Sequence, residues 1–268
     1  MPELPEVETV RRRLEPHVAG RTIVQATILD PRLTRPELPE HVAARLERSS
    51  ITAVDRRGKH LLVRLGGGDT LAVHLRMTGN LLHGVDPGSL RHLRATLTLD
   101  DGAVVCYTDL RRFGTWQLIE EEPDIGVEPL SDAFGGATLY SAFAGRRGPV
   151  KALLLDQHVV AGVGNIYADE ALHRARIHPL AAAGSLSRPA CARLADAVRG
   201  VLELGIESQG ASISDYRTPD GGYGSMQERF RVFDRTGEPC PECGRAIVKL
   251  RVAGRGTHVC PRCQRAPR

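Results

Sequence analysis

Four cysteines near the end of the 268-residue chain have the spacing of metal ligands. Cys240 and Cys243 form one C-x2-C pair, and Cys260 and Cys263 form a second pair after sixteen intervening residues. Each pair places two thiolates on one side of an ion, and two pairs complete the tetrahedron that Zn²⁺ prefers. We therefore predict one structural zinc ion on a basic β-hairpin; the alternative is four unligated thiols. Four thiolates leave no open coordination position, so this zinc would not be catalytic.

The first residues, MPELPEVE, contain a second set of groups that could react. Pro2 follows Met1, whose removal is generally expected before a small residue and would leave a secondary amine at the chain end. An α-amino group titrates near 7.7–8.0 and a lysine near 10.4, so far more of this amine is unprotonated at neutral pH. Attack of a secondary amine on a sugar aldehyde carbon gives a cationic iminium, which promotes elimination at the neighbouring carbon.

Glu3 and Glu6 are three residues apart, so a helix places both carboxyl groups on one face beside that amine. A carboxyl group there could protonate a leaving or ring-opening sugar oxygen. The alternative is that acids in a first turn only complement the helix dipole. Considered alone, the spacing favours the dipole explanation and does not decide between the two.

The elements that must position these groups follow from hydrophobic periodicity. Apolar residues recur at steps of three or four over 3–19, which predicts an amphipathic helix. Short β-branched runs bounded by Gly, Asp and Pro over 22–109 predict a sandwich or barrel fronted by that helix. Helical stripes follow at 150–155, 166–174 and 189–207, and the residues between the cysteine pairs suit a hairpin.

These changes of pattern define the predicted domains. An N-terminal β-domain spans 1–121, a linker 122–130, a helical domain 131–228 and a zinc-binding domain 229–268. Glycine, serine and aspartate dominate the end of the helical domain, so we predict a long loop at 208–228.

Composition excludes several classes of protein. The N-terminus carries no apolar run, and no segment has the roughly 18 consecutive apolar residues of a membrane span, so we expect a cytoplasmic protein. Residues 229–268 contain ten Arg or Lys against three acids, which favours a polyanion as partner; a solvated tail is the alternative. Cys106 and Cys191 stand alone and suit small buried core residues.

Six blocks of this sequence, in order, resemble the formamidopyrimidine-DNA glycosylases (8-oxoguanine DNA glycosylases) over essentially the full length. They are PELPEVE (2–8), DRRGKHLL (55–62), HLRMTG (74–79), YTDLRRFG (107–114), KALLLDQHVVAGVGNIYADEAL (151–172) and GRGTHVCPRCQ (254–264). The resemblance implies an α+β, multidomain fold. An N-terminal β-sandwich fronted by a catalytic helix would be followed by a helix–two-turns–helix domain with a β-hairpin zinc finger.

The resemblance also implies chemical roles. Pro2 would be the Schiff-base nucleophile, Glu3 the proton donor and Glu6 a supporting residue. Lys59 would donate a proton during β-elimination, although composition alone indicates an ordinary surface lysine. Arg255 would serve the second, δ, elimination and bind phosphate.

Further residues would contact DNA. Met77, Arg111 and Phe113 match the family's set that fills the gap left by a flipped nucleotide. Phosphate contacts are implied for Lys151 and Asn165, with the GVGN turn offering a helix N-terminus, and DNA contacts are implied for His92 and Arg146. This chain has Arg76 where some relatives have glycine and Arg146 where many have lysine. The 208–228 loop matches the lid over the flipped base in position and character, though only loosely in residues.

The implied function is base-excision repair by a bifunctional glycosylase and AP lyase acting on oxidised purines in duplex DNA, as a monomer, with zinc as the only metal. One alternative is an endonuclease VIII-like glycosylase for oxidised pyrimidines, against which PELPE, RRFG and the long loop argue. The other is a non-catalytic zinc-finger DNA-binding protein, which would leave Pro2, Glu3 and Lys59 without a role.

Overall fold

The computed structural model describes residues 1–267, which divide into two units. Unit 1 contains Met1–Pro123 and Gly205–Gln227, and unit 2 contains Asp124–Leu204 and the chain from Glu228 onwards. Unit 1 therefore combines the N-terminal part of the chain with most of the long glycine-rich loop. The predicted bounds of the three domains and of the linker stay predictions.

Unit 1 begins with helix α1 (Leu4–Val18). The apolar stripe predicted from the sequence is buried, with Leu4, Val7, Val10, Leu14 and Val18 at most 2% exposed. This face packs against strands β2 (Ile51–Arg57) and β3 (His60–Leu65). Because this stripe faces the strands, α1 has one rotational orientation, and that orientation determines where the side chains of its polar first turn lie.

Two antiparallel sheets of four strands each make up most of unit 1. The other elements of this unit are β1 (Ile23–Ile28), α2 (Pro39–Leu46), β4 (Thr70–His74), β5 (Gly79–His83), β6 (Leu93–Leu99), β7 (Val104–Asp109) and β8 (Thr115–Ile119). The strand orders are β1-β6-β7-β5 and β2-β3-β4-β8. Apolar side chains from both sheets and from α1 share one core, which makes the unit a β-sandwich fronted by a helix.

Helix α2 lies within the stretch that the sequence pattern assigned to strands alone. It is eight residues long, and only Val42 and Leu46 are buried. Its hydrophobic periodicity therefore rests on a single pair of residues. It packs on β1. A helix of two turns with one apolar pair is too short for periodicity to separate it from strand and loop.

Unit 2, as far as the structure describes it, contains four α-helices and a β-hairpin. They are α3 (Gly136–Phe143), α4 (Val150–Leu155), α5 (Asn165–Ala175), α6 (Arg188–Glu207, whose last turn belongs to unit 1), β9 (Val248–Val252) and β10 (Arg255–Val259). The three helical stripes found in the sequence correspond to α4, α5 and α6, and α3 was not predicted. Strands β9 and β10 form the hairpin expected between the cysteine pairs.

Two consecutive acidic side chains of α5 hold the C-terminal segment. Glu170 accepts the backbone N–H groups of Arg231, Val232 and Phe233 at 2.8–3.1 Å. Asp169 accepts the His258 N–H at 2.9 Å. These buried carboxylates dock the hairpin segment on the helix, because each satisfies backbone donors that would otherwise be stranded away from water.

The predicted α+β fold is confirmed in its elements: an N-terminal β-sandwich with its helix, a helical region and a C-terminal hairpin bearing four cysteines. Among residues 1–267, no helix has both the length and the apolar character needed to cross a bilayer.

Candidate functional site

The first turn of α1 is built around two buried carboxyl groups. Glu3 caps the helix and is 2% exposed, and Glu6 is 1% exposed. The Glu3 N–H donates to Glu6 Oε2 at 2.8 Å, and Pro5 occupies a first-turn position where a missing N–H costs nothing. Pro2, directly before this turn, is also buried. A capping box therefore links the two acids to each other within the turn that Pro2 directly precedes.

Lys59 lies in the tight turn between β2 and β3, next to Gly58, whose φ is +56°. Lys59 is only 7% exposed, so the expectation from composition that it is an ordinary surface lysine is wrong. Gly58 also provides a carbonyl that accepts Arg56 Nη1 at 3.0 Å. The Lys59 side chain is thus surrounded mainly by protein atoms and not by bulk water.

Two neutral histidines lie next to that turn. His60 and His74 are register partners on β3 and β4, with ring centroids 4.7 Å apart. Burial, with His60, Arg76 and Lys59 adding repulsion, lowers the pKa of His74 to about 2. The neutral ring accepts the Arg76 N–H through Nδ1 at 3.0 Å. This bond fixes the start of the turn that carries Met77.

Met77, Arg111 and Phe113 occupy two neighbouring turns of unit 1. Met77 is half-buried after β4, while Arg111 and Phe113 are exposed in the turn between β7 and β8. The Arg111 guanidinium carbon lies 4.9 Å from the centre of the Phe113 ring, a cation–π distance. Arg76 has a φ of +53°, a backbone conformation that favours glycine. The Phe113 ring and the Arg111 guanidinium stacked on it are therefore presented together at the surface.

His92 is exposed at the start of β6 and borders an open cavity of about 490 Å³. Arg91 and Arg217 line the same cavity. Asn80 of β5 closes one side, because its amide donates to Asp215 O at 3.0 Å and accepts the Arg217 N–H at 2.8 Å. This cavity presents positive charge on a surface that also includes the 208–228 loop.

The 208–228 loop is hydrogen bonded to the rest of unit 1 at several points. Ala211 N–H donates to Glu6 Oε1 at 2.8 Å, and His83 N–H donates to Pro219 O at 2.8 Å. Arg13 of α1 pairs with Asp220 at 2.7 Å. Sequence reasoning identified the loop by its composition but could not identify these partners, which are distant in the chain.

In unit 2, two of the predicted phosphate-binding side chains are engaged with the hairpin. Lys151 has no exposed surface, and its ammonium group lies 2.6 Å from Asp169 Oδ1 and 2.7 Å from Thr257 Oγ1. Asn165, the first residue of α5, donates to Gly256 O at 3.0 Å. A direct phosphate contact by Lys151 would require this ion pair to open, whereas its present contacts hold the hairpin beside Arg255.

Arg146 and Arg255 are both exposed in unit 2. Arg255 begins β10 directly after a tight turn in which Ala253 and Gly254 have positive φ. The turn between α4 and α5 is shaped by Gln157, whose side chain donates to Leu155 O and Val163 O and accepts the Gly162 N–H. These hydrogen bonds between the Gln157 side chain and backbone atoms hold the GVGN turn (162–165) in place.

The four cysteines come together as the spacing predicted. Their Sγ atoms all lie within 4.8 Å of one another, with Cys240 and Cys263 3.9 Å apart and Cys243 and Cys260 3.4 Å apart. Zinc–sulfur bonds of about 2.3 Å give a tetrahedron with edges of about 3.8 Å, so the thiols fit the ion. The cysteines form one structural zinc site. His173 Nε2 of α5 lies 3.4 Å from Cys240 Sγ and was not identified from the sequence.

The β-sandwich with its buried N-terminal acids, the α4–α5 turn and the four-thiolate hairpin define a zinc-finger DNA glycosylase. Family models match along the chain: the formamidopyrimidine-DNA glycosylase N-terminal domain at 1–116, the H2TH domain of the same enzymes at 125–217, and the zinc finger found in FPG and IleRS at 237–266. The chain belongs to the formamidopyrimidine-DNA glycosylase family.

Individual relatives cover nearly the whole chain. The formamidopyrimidine-DNA glycosylase of Symbiobacterium thermophilum is 48% identical over 100% of this chain and 90% of its own length. A mutant of Lactococcus lactis FPG in complex with a Fapy-dG containing DNA matches with a TM-score of 0.92 and 37% identity, covering 99% of this chain and 100% of its own. MutM in complex with carbocyclic 8-oxo-G containing DNA matches with a TM-score of 0.90 and 37% identity, covering 99% and 100%.

Proposed function

We propose that this chain excises oxidised purines, 8-oxoguanine and formamidopyrimidines, from duplex DNA and then cleaves the strand at the resulting abasic site. The observation that carries the proposal is the first turn of α1, where a buried Pro2 directly precedes a turn with two almost fully buried carboxyl groups. The full-length relatives, and solved neighbours bound to Fapy-dG and 8-oxo-G DNA, support this substrate class.

The chemistry begins at Pro2 once Met1 has been removed. The secondary amine attacks C1′ of the damaged nucleotide, the glycosidic bond breaks, and its electron pair leaves with the base. The attacking nitrogen gives up its N–H proton, which the nearby carboxylates can shuttle, and Glu3 protonates the sugar ring oxygen, so that the ring opens and the sugar is joined to Pro2 as an iminium.

The iminium then serves as the electron sink for two eliminations. Removal of a C2′ proton expels the 3′ phosphate by β-elimination, and δ-elimination expels the 5′ phosphate. Lys59 is assigned as the proton donor of the first elimination, and Arg255 is assigned to the second elimination together with a phosphate contact. Water hydrolysis of the adduct returns the free amine of Pro2.

DNA binding is assigned to side chains of each unit. In unit 1, Met77, Arg111 and Phe113 fill the gap left by the flipped nucleotide, and His92 contacts the backbone. In unit 2, Arg146, Asn165 and Lys151 support phosphate binding, Lys151 through the hairpin that it holds. The zinc ion holds that hairpin together and takes no part in the reaction. We further propose that the protein acts as a monomer in the cytoplasm.

Borohydride trapping tests the proposal, because borohydride reduces an iminium to a stable amine adduct. Wild type, Pro2→Gly and Glu3→Gln are compared on duplexes containing 8-oxoguanine opposite cytosine, thymine glycol, or an abasic site. The expected result is an adduct on 8-oxoguanine DNA for wild type, strongly reduced in both variants. An adduct on thymine glycol but not on 8-oxoguanine would overturn the purine assignment, and no adduct on any DNA would overturn the catalytic one.

A further inference from the structure

The side chain of Asp109 connects the two turns that carry the gap-filling residues. It ends β7 and is 1% exposed. Asp109 Oδ1 accepts a short hydrogen bond from the Thr78 hydroxyl and a second from the Arg111 N–H at 3.2 Å. Asp109 Oδ2 accepts the Gly114 N–H at 2.8 Å. One carboxylate therefore binds Thr78, which follows Met77, together with Arg111 and with Gly114, which follows Phe113.

Thr78 closes this network. Its hydroxyl oxygen accepts the Arg111 N–H at 2.9 Å while its hydrogen is donated to Asp109. Thr78 directly follows Met77, so the Met77 turn and the Arg111 turn are tied through a side chain as well as through the carboxylate. Hydrogen bonds to a charged, buried acceptor are stronger than neutral ones, which stiffens both turns.

Tyr107 forms the floor beneath the two turns. It is fully buried, and a Cβ at either Gly79 or Gly114 would overlap its hydroxyl group. Burial, together with the charge of Asp109, raises the pKa of Tyr107 well above its ordinary value, so the phenol stays neutral. Since the backbone of each turn rests directly on this ring, neither turn can move inward.

Arg112 sets the conformation of the second turn, which lies between β7 and β8 and carries Arg111 and Phe113. Its φ is +59°, and its guanidinium pairs with the buried Asp30 at 2.5 and 2.9 Å. This pair draws Arg112 away from its two neighbours. Arg111 and Phe113 are thereby left exposed with the guanidinium over the ring.

We propose that Asp109 is a positioning residue that presents Met77, Arg111 and Phe113 as one preformed wedge for the gap in the duplex. The proposal rests on the proposed function, since it assigns a device to base flipping. A flipped nucleotide leaves a gap whose filling recovers part of the unstacking cost, and a rigid wedge loses less entropy on insertion. Asp109 does not touch the reacting atoms.

Replacing Asp109 with asparagine tests its hydrogen bonding separately from its size. Asp109→Asn keeps the size of the side chain but replaces one acceptor oxygen with an NH2 group. Three donors then face one acceptor oxygen and one donor group, so either Gly114 or the Thr78–Arg111 pair loses its bond. Thr78→Val removes the hydroxyl link alone, and Thr78→Ser retains it.

The experiment compares these variants on two DNAs that differ in the need for a wedge. One is a duplex with 8-oxoguanine opposite cytosine and 2-aminopurine beside the lesion, whose fluorescence reports unstacking. The other is a single-stranded oligonucleotide with an abasic site, which has no stacked partner to replace. We expect Asp109→Asn to lower single-turnover excision from the duplex by about tenfold or more, with a smaller unstacking signal. Borohydride trapping on the single strand should stay within about twofold of wild type.

Controls make the result decisive. Asp69→Asn alters a carboxylate of the same unit that pairs with Arg45 at the surface and should match wild type. Thr78→Val should reproduce the duplex defect and Thr78→Ser should relieve it, which covers the case in which Asp109→Asn fails to fold. Equal loss on both DNAs, or wild-type excision and unstacking in Asp109→Asn and Thr78→Val, would overturn the proposal. Failure of wild type to trap either DNA would instead overturn the proposed function.

Discussion

The carboxylate of Glu6 accepts the backbone N–H of Ala211 at 2.8 Å, although the two residues lie 205 positions apart in the chain. Its other oxygen accepts the Glu3 N–H at the same distance. Gly210, with a φ of +82°, approaches so closely that a Cβ there would lie 2.7 Å from Glu6 Cγ. The base of the 208–228 loop and the first turn of α1 are thus held by one buried side chain.

Glu6→Gln should uncouple that loop from the first turn. An amide has one acceptor oxygen, so its NH2 group must face either the Glu3 or the Ala211 N–H, and a buried unsatisfied donor costs about 1–3 kcal/mol. We expect excision of 8-oxoguanine to slow by about tenfold or more. Hydrogen–deuterium exchange of 209–225 should become faster.

The control for Glu6→Gln is Glu15→Gln, a change on the same helix at a partly exposed i,i+4 pair with Arg11. Exposed pairs of this kind contribute about 0.3–0.5 kcal/mol, so rate and exchange should remain close to wild type. Unchanged exchange of 209–225 in Glu6→Gln would contradict the coupling.

Lys151→Met should destabilise the protein, because it leaves the buried carboxylate of Asp169 without its counter-charge. Breaking a buried ion pair on one side costs about 3–5 kcal/mol, and replacing both partners by apolar residues recovers much of it. Urea unfolding of Lys151→Met and of Lys151→Met/Asp169→Leu measures both effects. Lys249→Met, an exposed change in the same unit, should shift stability by about 0.5 kcal/mol or less.

Salt dependence of DNA binding distinguishes the two roles of Lys151. Each phosphate neutralised by a side chain contributes about 0.9 to the slope of log K against log salt. Arg255→Gln should reduce that slope by about one unit, and adding Lys151→Met to Arg255→Gln should reduce it no further. A wild-type stability combined with a reduced slope in Lys151→Met would identify a direct phosphate contact instead.

Glu8 should make stability depend on pH in the acid range. Burial alone would raise its pKa, but Arg11, Arg12 and Arg56 lower it from 4.5 to about 2. A lowered folded-state pKa contributes stability above the unfolded value, and this contribution is lost as pH falls through the folded value. The difference between wild type and Glu8→Gln, about 1–2 kcal/mol after allowance for solvent screening, should be constant above about pH 5 and vanish toward pH 2.

Chemical denaturation at pH 7, 4 and 2.5 measures that difference. Glu40→Gln, which changes an acid in the first turn of α2, is the matched control and should show no comparable trend. A Glu8→Gln difference that grows as the pH is lowered would contradict the assignment.

His173→Phe should weaken zinc binding. The imidazole Nε2 lies 3.4 Å from Cys240 Sγ, and an N–H there would donate to a zinc-bound thiolate. Loss of such an outer contact typically weakens metal binding by about 10–100-fold, which a chromogenic chelator competition measures directly. His158→Phe, an exposed change in unit 2, is the control, and equal zinc release by His173→Phe and wild type would remove the contact from the zinc site.

Local patterns were sufficient for the zinc ligands and the principal elements. A C-x2-C pair sets the separation of its two thiolates over three residues, so ligand identity needs no tertiary information. The buried stripe of α1 follows likewise from a period of 3.6 residues over a long helix. The short helices α2 and α3 were missed because each has eight residues and only two buried positions, too few to define a period.

The sequence by itself determined which groups could react and bind metal; the tertiary structure decided which polar groups are buried and what they bind. Composition indicated an exposed Lys59, yet this residue is buried, and Lys151 is buried in an ion pair with Asp169 that no local spacing indicated. Asp109 and Ala211 carry no chemical pattern of their own. Burial of a charge is tolerated only where its partners converge, and those partners come from segments up to about 200 residues away. Such convergence is a property of the packed chain, so no local spacing could have predicted it.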